Sequence, residues 1–272
     1  MTLSPVPILL YHAITADPPG WIAPFAVSPA VFAAHLDEVA ASGRQALTVS
    51  QLMDGLRGNA ALPPRPVVIT VDDGFADFAD AALPALAQRG IPSTLYITTA
   101  ALADADDASA LPAAPMLRSA DLPGLEPAGV EIGAHSHTHR QLDLLPHHEV
   151  AAEVARSRDL LAGALGHPIR SFAYPHGYWR AGVRRLVGEA GFDSAAAVAN
   201  TASTARDHPL ALSRLMVRAG TGPSTVAEWM RGAAPAGRPG RRRVLAFGWR
   251  QCRRAQARWH PQQLRRLRAW SA

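Results

Sequence analysis

The sequence contains no lysine: all 27 basic residues in this chain of 272 are arginine. It has a single cysteine, Cys252, which excludes an internal disulfide. No apolar run approaches the roughly 20 residues that a membrane-spanning helix needs, and the start at Met1 lacks the basic region of a secretory signal peptide. These absences predict a cytoplasmic protein, at most peripheral at the inner face of a membrane.

The composition is that of a folded globular protein. Hydrophobic residues make up 48% of the chain, which excludes general disorder. Short apolar runs of strand length alternate with helical stretches, a pattern typical of parallel βα units, so the predicted fold class is α/β. Strands are predicted at residues 6–10, 67–71, 93–98, 130–134, 170–173 and 193–198, and helices at 29–42, 50–57, 77–89, 146–165 and 180–190.

Two adjacent aspartates follow one of the apolar runs. Asp72 and Asp73 lead into Gly74, which is also common in ordinary turns because Asp tolerates turn conformations and Gly supplies positive φ. A later segment contains His135 and His139, a spacing that solvated histidines also show by chance. Together, one aspartate and two neutral imidazoles could hold a divalent metal ion and leave a coordination position for water or substrate. The residues therefore favour a metal-dependent hydrolase in which the other aspartate acts as a base.

His137 lies between these two histidines. Residues 135 and 139 share one side of the segment whether it is helical or extended, whereas residue 137 joins them only in an extended segment. We therefore leave His137 out of the predicted metal shell.

Three segments resemble the motifs of the polysaccharide deacetylases of the NodB-homology type, carbohydrate esterase family 4. In chain order they are Thr70–Gly74, Gly133–Leu142 and Ser171–Gly177. The segment Val6–His12 also resembles the branch that includes poly-N-acetylglucosamine deacetylases, so the resemblance covers roughly residues 5–230. It implies a distorted (β/α) barrel of about seven parallel strands.

The resemblance implies a role for each matched residue. Asp72 would be the general base, and Asp73, His135 and His139 would bind one divalent metal ion. Zinc is favoured, and cobalt, nickel or iron also suit these donors. The backbone N–H of His176 would help to form the oxyanion hole.

The chain departs from the family pattern in two places. Ala173 stands where the third motif usually begins with an arginine that orients the base, so another cation is expected to hold Asp72. The region Leu212–Leu215 lacks the histidine that usually serves as general acid. In the branch noted above, the acid is instead a histidine after an amino-terminal strand, and His12 occupies that place.

Charge divides the chain into two predicted parts. Residues 1–228 hold 15 arginines and 22 acidic residues, a formal net charge of −7, whereas residues 229–272 hold 12 arginines and no acid. We expect a catalytic domain at residues 1–230 and a basic, helical C-terminal extension at residues 231–272. The tryptophans interleaved with these arginines favour an interfacial helix on an anionic membrane.

The same extension also fits a solvated or partly disordered tail, a helix packed on the acidic domain, or a segment that binds an anionic glycan. Charge alone gives little support to nucleic-acid binding.

These features predict a hydrolase that removes N-acetyl groups from the amino sugars of a polysaccharide or a lipid-linked glycan precursor. The lipid-linked precursor suits the expected cytoplasmic location. Two alternatives stay open: a deformylase or other amidase on the same scaffold, and a non-catalytic glycan- or membrane-binding protein.

Overall fold

The computed structural model describes residues 4–233, which form a single parallel β-sheet surrounded by helices. The strands follow the order β7-β6-β5-β4-β3-β1-β8, with β2 beside β3, and all these neighbours run parallel. The strands are β1 (Ile8–Tyr11), β2 (Gln45–Leu47), β3 (Pro66–Val71), β4 (Ser93–Ile97), β5 (Val130–Ala134), β6 (Ser171–Ala173), β7 (Ser194–Ala196) and β8 (Leu215–Met216). The helices are α1 (Pro29–Ala41), α2 (Val49–Arg57), α3 (Leu83–Gln88), α4 (His147–Leu165), α5 (Ala181–Glu189) and α6 (Pro223–Met230).

The two ends of the sheet approach each other. Ala196 in β7 forms a parallel bridge with Leu212, shortly before β8, and β8 pairs with β1. This closure confirms the predicted distorted (β/α) barrel. The sequence pattern did not predict β2, β8 or α6. Most of the basic extension predicted at residues 231–272 lies outside the described residues.

Local sequence signals explain where several helices begin. The side chain of Ser28 accepts a hydrogen bond from the N–H of Val31 at the start of α1, and Thr48 forms a capping box with Gln51 at the start of α2. The helix predicted at residues 77–89 is instead a π-helical turn, Phe78–Ala82, followed by α3. Pro84 accounts for this break, because it has no N–H to donate into an α-helical ladder.

The side chains of β3 alternate between two cores. Val67, Ile69 and Val71 pack in the large core between the sheet and the helices, whereas Val68 belongs to the smaller core inside the barrel. Burying each of these side chains contributes about 1.5–3 kcal/mol. Because all strands are parallel, their carboxyl ends meet at one edge of the barrel, where α/β sheets place their sites.

Among residues 4–233, no helix combines the length and the apolar character that are needed to span a bilayer.

Candidate active site

Three buried side chains converge at the carboxyl ends of β3 and β5. The Nε2 atoms of His135 and His139 lie 3.5 Å and 3.2 Å from Oδ1 of Asp73. One ligand atom from each residue lies within 4.8 Å of the other two. The structure therefore brings together the three residues that the sequence motifs nominated as metal ligands.

The hydrogen bonding of this triad suits a divalent metal ion. Nδ1 of His135 donates its N–H to the carbonyl oxygen of Ala173 at 2.9 Å, so Nε2 carries the lone pair that a metal ligand needs. Burial lowers the pKa of His135 to about 4, which keeps the imidazole neutral at physiological pH. Burial alone would raise the pKa of Asp73, but the neighbouring His139 and His12 hold it below its usual value. One carboxylate and two imidazoles are the donor set of a catalytic zinc-type site.

The backbone of these segments is held in an uncommon conformation. Asp73, Ser136 and His139 have φ values of 79°, 63° and 62°, in the left-handed region that few non-glycine residues adopt. Such strain costs about 1–3 kcal/mol per residue and is found mainly at functional sites. Ser136 stabilises the turn, because its hydroxyl oxygen accepts a hydrogen bond of 3.1 Å from the N–H of His139.

A buried carboxylate from α4 also holds the histidine segment. Glu153 accepts hydrogen bonds from the backbone N–H groups of His137 and Thr138, at 3.0 and 2.8 Å, and from the hydroxyl of Thr138. The side chain of His137 points to other partners, with Nδ1 2.8 Å from Oγ1 of Thr99 and Nε2 3.2 Å from Oδ2 of Asp107. His137 therefore stays outside the metal triad.

Asp72 pairs with an arginine that lies 142 positions later in the chain. Nη1 and Nη2 of Arg214 donate to the two carboxylate oxygens at 2.7 and 2.8 Å, and Nη1 also bonds Oγ1 of Thr70 at 3.1 Å. Burial alone would raise the pKa of Asp72, but the Arg214 guanidinium and His135 hold it below its usual value. Asp72 is therefore ionised and fixed in orientation, as a base requires.

Arg214 supplies the cation for Asp72 that related chains provide with an arginine at the position of Ala173. The sequence predicted that some cation would hold Asp72, without naming it. Arg214 lies within Leu212–Leu215, the region that lacks the usual histidine, and its side chain is fully buried inside the barrel. The only sign of this role in the sequence is that Arg214 stands beside an apolar strand. Sequence alone does not distinguish such an arginine from one on the protein surface.

His12 lies at the end of β1, beside the same carboxylates. Its ring lies 5.5 Å from that of Phe25, and among the described residues its buried Nδ1 has no hydrogen-bond partner. Burial lowers the pKa of His12, while the carboxylates of Asp73 and Asp72 raise it in part. The sheet thus places an imidazole that can carry a proton close to both aspartates.

His176 lies in the turn after β6. It has a φ of 58° and is followed by Gly177 at 72°, where a Cβ atom would lie only 2.4 Å from Cβ of Val198. Only glycine fits at that position. The ring centroid of His176 is 4.7 Å from that of His139, so the third motif lies directly beside the metal triad.

Comparison with known proteins agrees with this architecture. Residues 59–195 match the sequence family described as polysaccharide deacetylase. A Bacillus subtilis (strain 168) protein named as a polysaccharide deacetylase, YxkH, is 22% identical over 215 residues, which are 79% of this chain and 72% of that protein.

Solved structures show the same fold. The deacetylase PplD of Streptococcus pyogenes, in complex with acetate, superposes with a TM-score of 0.74 at 22% identity, covering 84% of this chain and 99% of PplD. IcaB from Ammonifex degensii superposes with a TM-score of 0.72 at 24% identity, covering 84% of this chain and 97% of IcaB. His12 and Arg214 lie outside the matched range 59–195.

Proposed function

The chain belongs to the polysaccharide deacetylase family, and from this premise we propose that it is a metal-dependent N-deacetylase. It hydrolyses the acetamido group of amino sugars in a glycan, or in a lipid-linked glycan precursor at the cytoplasmic face of a membrane. The observation that carries the proposal is the buried triad of Asp73, His135 and His139 beside the Asp72–Arg214 ion pair.

The triad is the proposed metal site. One divalent ion held there, zinc being favoured by the donor set, supplies Lewis acidity at the amide carbonyl and acidifies water. The remaining chemistry belongs to the protein's own side chains and backbone.

Asp72 is the proposed general base. Its carboxylate takes a proton from the attacking water, and the bidentate contact with Arg214 holds both of its oxygens in place. Arg214 acts through Asp72 and is a positioning residue. Its removal would leave the carboxylate buried without a counter-charge, which typically costs about 3–5 kcal/mol.

His12 and His176 complete the proposed mechanism. An amine is a poor leaving group, so the bond breaks readily only when the nitrogen receives a proton. We assign this proton to the imidazole of His12, whose proximity to the two aspartates favours its protonated form. The backbone N–H of His176, beside His139, would stabilise the negative charge that develops on the carbonyl oxygen.

Metal content and product release test this function together. We expect about one equivalent of divalent metal in the purified full chain, almost none in His135→Ala or His139→Ala, and release of acetate from N-acetylglucosamine oligomers. His148→Ala is a matched control, because this exposed histidine on α4 lies outside the triad.

Two results would redirect the assignment. Release of formate from N-formyl sugars without release of acetate would favour a deformylase. A wild-type protein that binds no divalent metal would favour the non-catalytic binding protein.

A further inference from the structure

The ring of His12 is oriented by packing. Its buried Nδ1 has no hydrogen-bond partner in the part of the chain that the structure describes. The ring instead faces Phe25, with 5.5 Å between the ring centroids and an interplanar angle of 49°. A proton donor is effective only when it is held in a fixed geometry, so the position of Phe25 matters to the use of His12.

A second loop packs on Phe25. The guanidinium of Arg218 lies 5.1 Å from the centre of the Phe25 ring, within the range of a cation–π contact. The N–H of Ala219 donates to the carbonyl oxygen of Pro24 at 3.1 Å, which joins the same two loops. The position of Phe25 therefore depends on where residues 218–221 lie.

The loop at residues 218–221 is a turn that a buried histidine anchors. The N–H of Thr221 donates to the carbonyl oxygen of Arg218 at 2.8 Å, and the N–H of Arg218 donates to Oγ1 of Thr221 at 2.9 Å. Nε2 of His35, on α1, lies 3.0 Å from the carbonyl oxygen of Thr221. Because a carbonyl oxygen only accepts, Nε2 of His35 carries a proton and donates it.

The other ring nitrogen of His35 contacts the strand that leads to His12. Burial lowers the pKa of His35, so its ring is neutral and Nδ1 accepts a hydrogen bond. The hydroxyl of Tyr11, the last residue of β1, donates to this Nδ1 at 3.2 Å. His35 therefore links the end of β1 to the loop that supports Phe25, and the ring of His12 lies between them.

Both polar groups lie in an otherwise apolar core. His35 and Tyr11 are 0% and 1% exposed, and Phe32 packs edge-on against Tyr11 at 4.9 Å. Hydrogen bonding roughly offsets the cost of burying such groups, and an apolar pair of the same shape would fill the core as well. What the polar pair adds is direction, because the hydrogen bond to the carbonyl oxygen of Thr221 fixes the loop in one position.

We propose that His35 is a positioning residue that orients the ring of His12. It acts through the loop at residues 218–221 and the ring of Phe25, and its complete burial keeps it from any contact with substrate. The inference rests on the proposed function in one respect, since only a donor of a proton to the leaving amine gains from a fixed ring. The orientation itself does not depend on the reaction.

The orientation of His12 can be measured without substrate. In the full, zinc-loaded chain with isotope-labelled histidine, the ring current of Phe25 shifts the proton resonances of the His12 ring. His12→Ala identifies these resonances by their loss, and Phe25→Leu gives their position without the ring current. We expect His35→Leu to move them to the position seen in Phe25→Leu.

Two further variants show which hydrogen bond of His35 matters. His35→Gln should leave the resonances at the wild-type position, because a glutamine amide N–H can replace Nε2–H as the donor to Thr221. His35→Asn should behave like His35→Leu, because its shorter amide reaches only Tyr11, and it serves in place of His35→Leu if that variant does not fold. Trp21→Leu is the matched control, since this ring lies in the same loop but packs on Phe75, at 5.9 Å between centroids.

Turnover shows whether the orientation matters to the reaction. His35→Leu should lower hydrolysis of N-acetyl sugars by about 10–100-fold, as a small misplacement of a reacting group does, and change hydrolysis of p-nitrophenyl acetate by less than about twofold. In a His12→Ala background, the same substitution should have no further effect on the amide. Equal losses with and without His12 would mean that His35 serves only the fold.

The outcomes separate the positioning from the reaction. Resonances of His12 that keep their wild-type position in both His35→Leu and His35→Asn overturn the proposal, as does a His35→Gln variant that behaves like His35→Leu. Absence of acetate release by the wild type would instead reject the proposed function. The resonances of His12 would still decide in that case whether His35 orients the ring.

Discussion

Asp72 and Asp73 are adjacent in the chain but face different partners. Asp72 points to the guanidinium of Arg214, and Asp73 points to the imidazoles of His135 and His139. Nε2 of His135 lies between them, 3.7 Å from Oδ2 of Asp72 and 3.5 Å from Oδ1 of Asp73. This division underlies the proposed roles of base and metal ligand.

Substitution of each aspartate should separate the two roles. We expect Asp73→Ala to lose bound metal, and Asp72→Asn to keep about one equivalent while turnover falls by about 10²–10⁴-fold, the usual contribution of a positioned base. Elemental analysis and acetate release measure the two effects. Equal metal content in the two variants would show that the roles are assigned wrongly.

His12→Ala should affect amides more than esters. An amine needs a proton to leave, whereas an activated phenolate does not, so we expect N-acetyl hydrolysis to fall by about 10²-fold or more and hydrolysis of p-nitrophenyl acetate to fall much less. Metal content should stay at the wild-type level, since His12 is not part of the triad. Unchanged amide turnover would remove His12 from the mechanism.

Asp77 should make stability depend on pH. Burial raises the pKa of this carboxyl to about 6 from its ordinary 3.8, so between these values the folded state holds more protons than the unfolded state. The free energy of unfolding therefore falls as the pH rises from about 4 to 6, and the loss is complete above that range. We expect Asp77→Asn to be about 3 kcal/mol more stable than wild type at pH 8 and less than about 1 kcal/mol more stable at pH 4.

Urea unfolding of the metal-free protein at the two pH values measures this difference. The amide oxygen of the asparagine can still accept the hydrogen bond that Asp77 takes from the N–H of Ile14. An equal gain at both pH values would mean that ionisation of Asp77 is not the cause.

At the scale of the element, α4 positions the metal ligands without touching the metal site. Glu153 on this helix accepts three hydrogen bonds from His137 and Thr138, in the middle of the ligand segment. We expect Glu153→Ala to weaken zinc affinity by about 10–100-fold, as removal of such supporting groups typically does. Competition with a fluorescent chelator measures the affinity, and thermal unfolding checks that the variant is folded.

Asp159→Ala is the matched control for this prediction. Asp159 lies on the same helix and pairs with Arg158, at 2.6 Å, away from the ligand segment. The proposed support is wrong if both variants bind zinc like the wild type.

The elements differ in how far the sequence could predict them. Helices with a capping residue, such as α1 after Ser28, and strands of five or six residues, such as β3, were predicted close to their observed bounds. β2 and β8 have three and two residues, and polar residues flank both, Arg44 and Thr48 around β2 and Arg214 and Arg218 around β8, so neither lies in an apolar run of strand length. The metal triad could be nominated because its residues lie in short motifs, whereas Arg214 could not, because its partner is 142 positions away in the chain.

At the scale of the whole molecule, the net charge changes sign near residue 230, but the packed catalytic domain extends past that point. Met230 is 1% exposed, and its carbonyl oxygen accepts a hydrogen bond of 2.9 Å from Nε of Arg44. A cut after Glu228, where the acidic part of the chain ends, would therefore remove a core residue. The extension should be removed after Ala233, whose N–H donates to the carbonyl oxygen of Glu228 at 3.0 Å.

We expect the full chain to bind vesicles that contain anionic lipid and the chain truncated after Ala233 not to bind them. Each arginine near such a surface contributes about 1 kcal/mol, and salt screens this attraction, so binding should weaken steeply as salt is added. Co-sedimentation with anionic and with neutral vesicles measures the effect. Absence of binding at low salt would exclude the membrane role of residues 231–272.

The pairing of Asp72 with Arg214 also sets when the protein can become active. The two residues are 142 positions apart, and at about 5–20 residues per second a ribosome adds the arginine on the order of ten seconds after the aspartate. A nascent chain that has not reached Arg214 carries the proposed base without its counter-charge. Under the proposed mechanism, we therefore expect efficient hydrolysis only after Arg214 has joined the barrel.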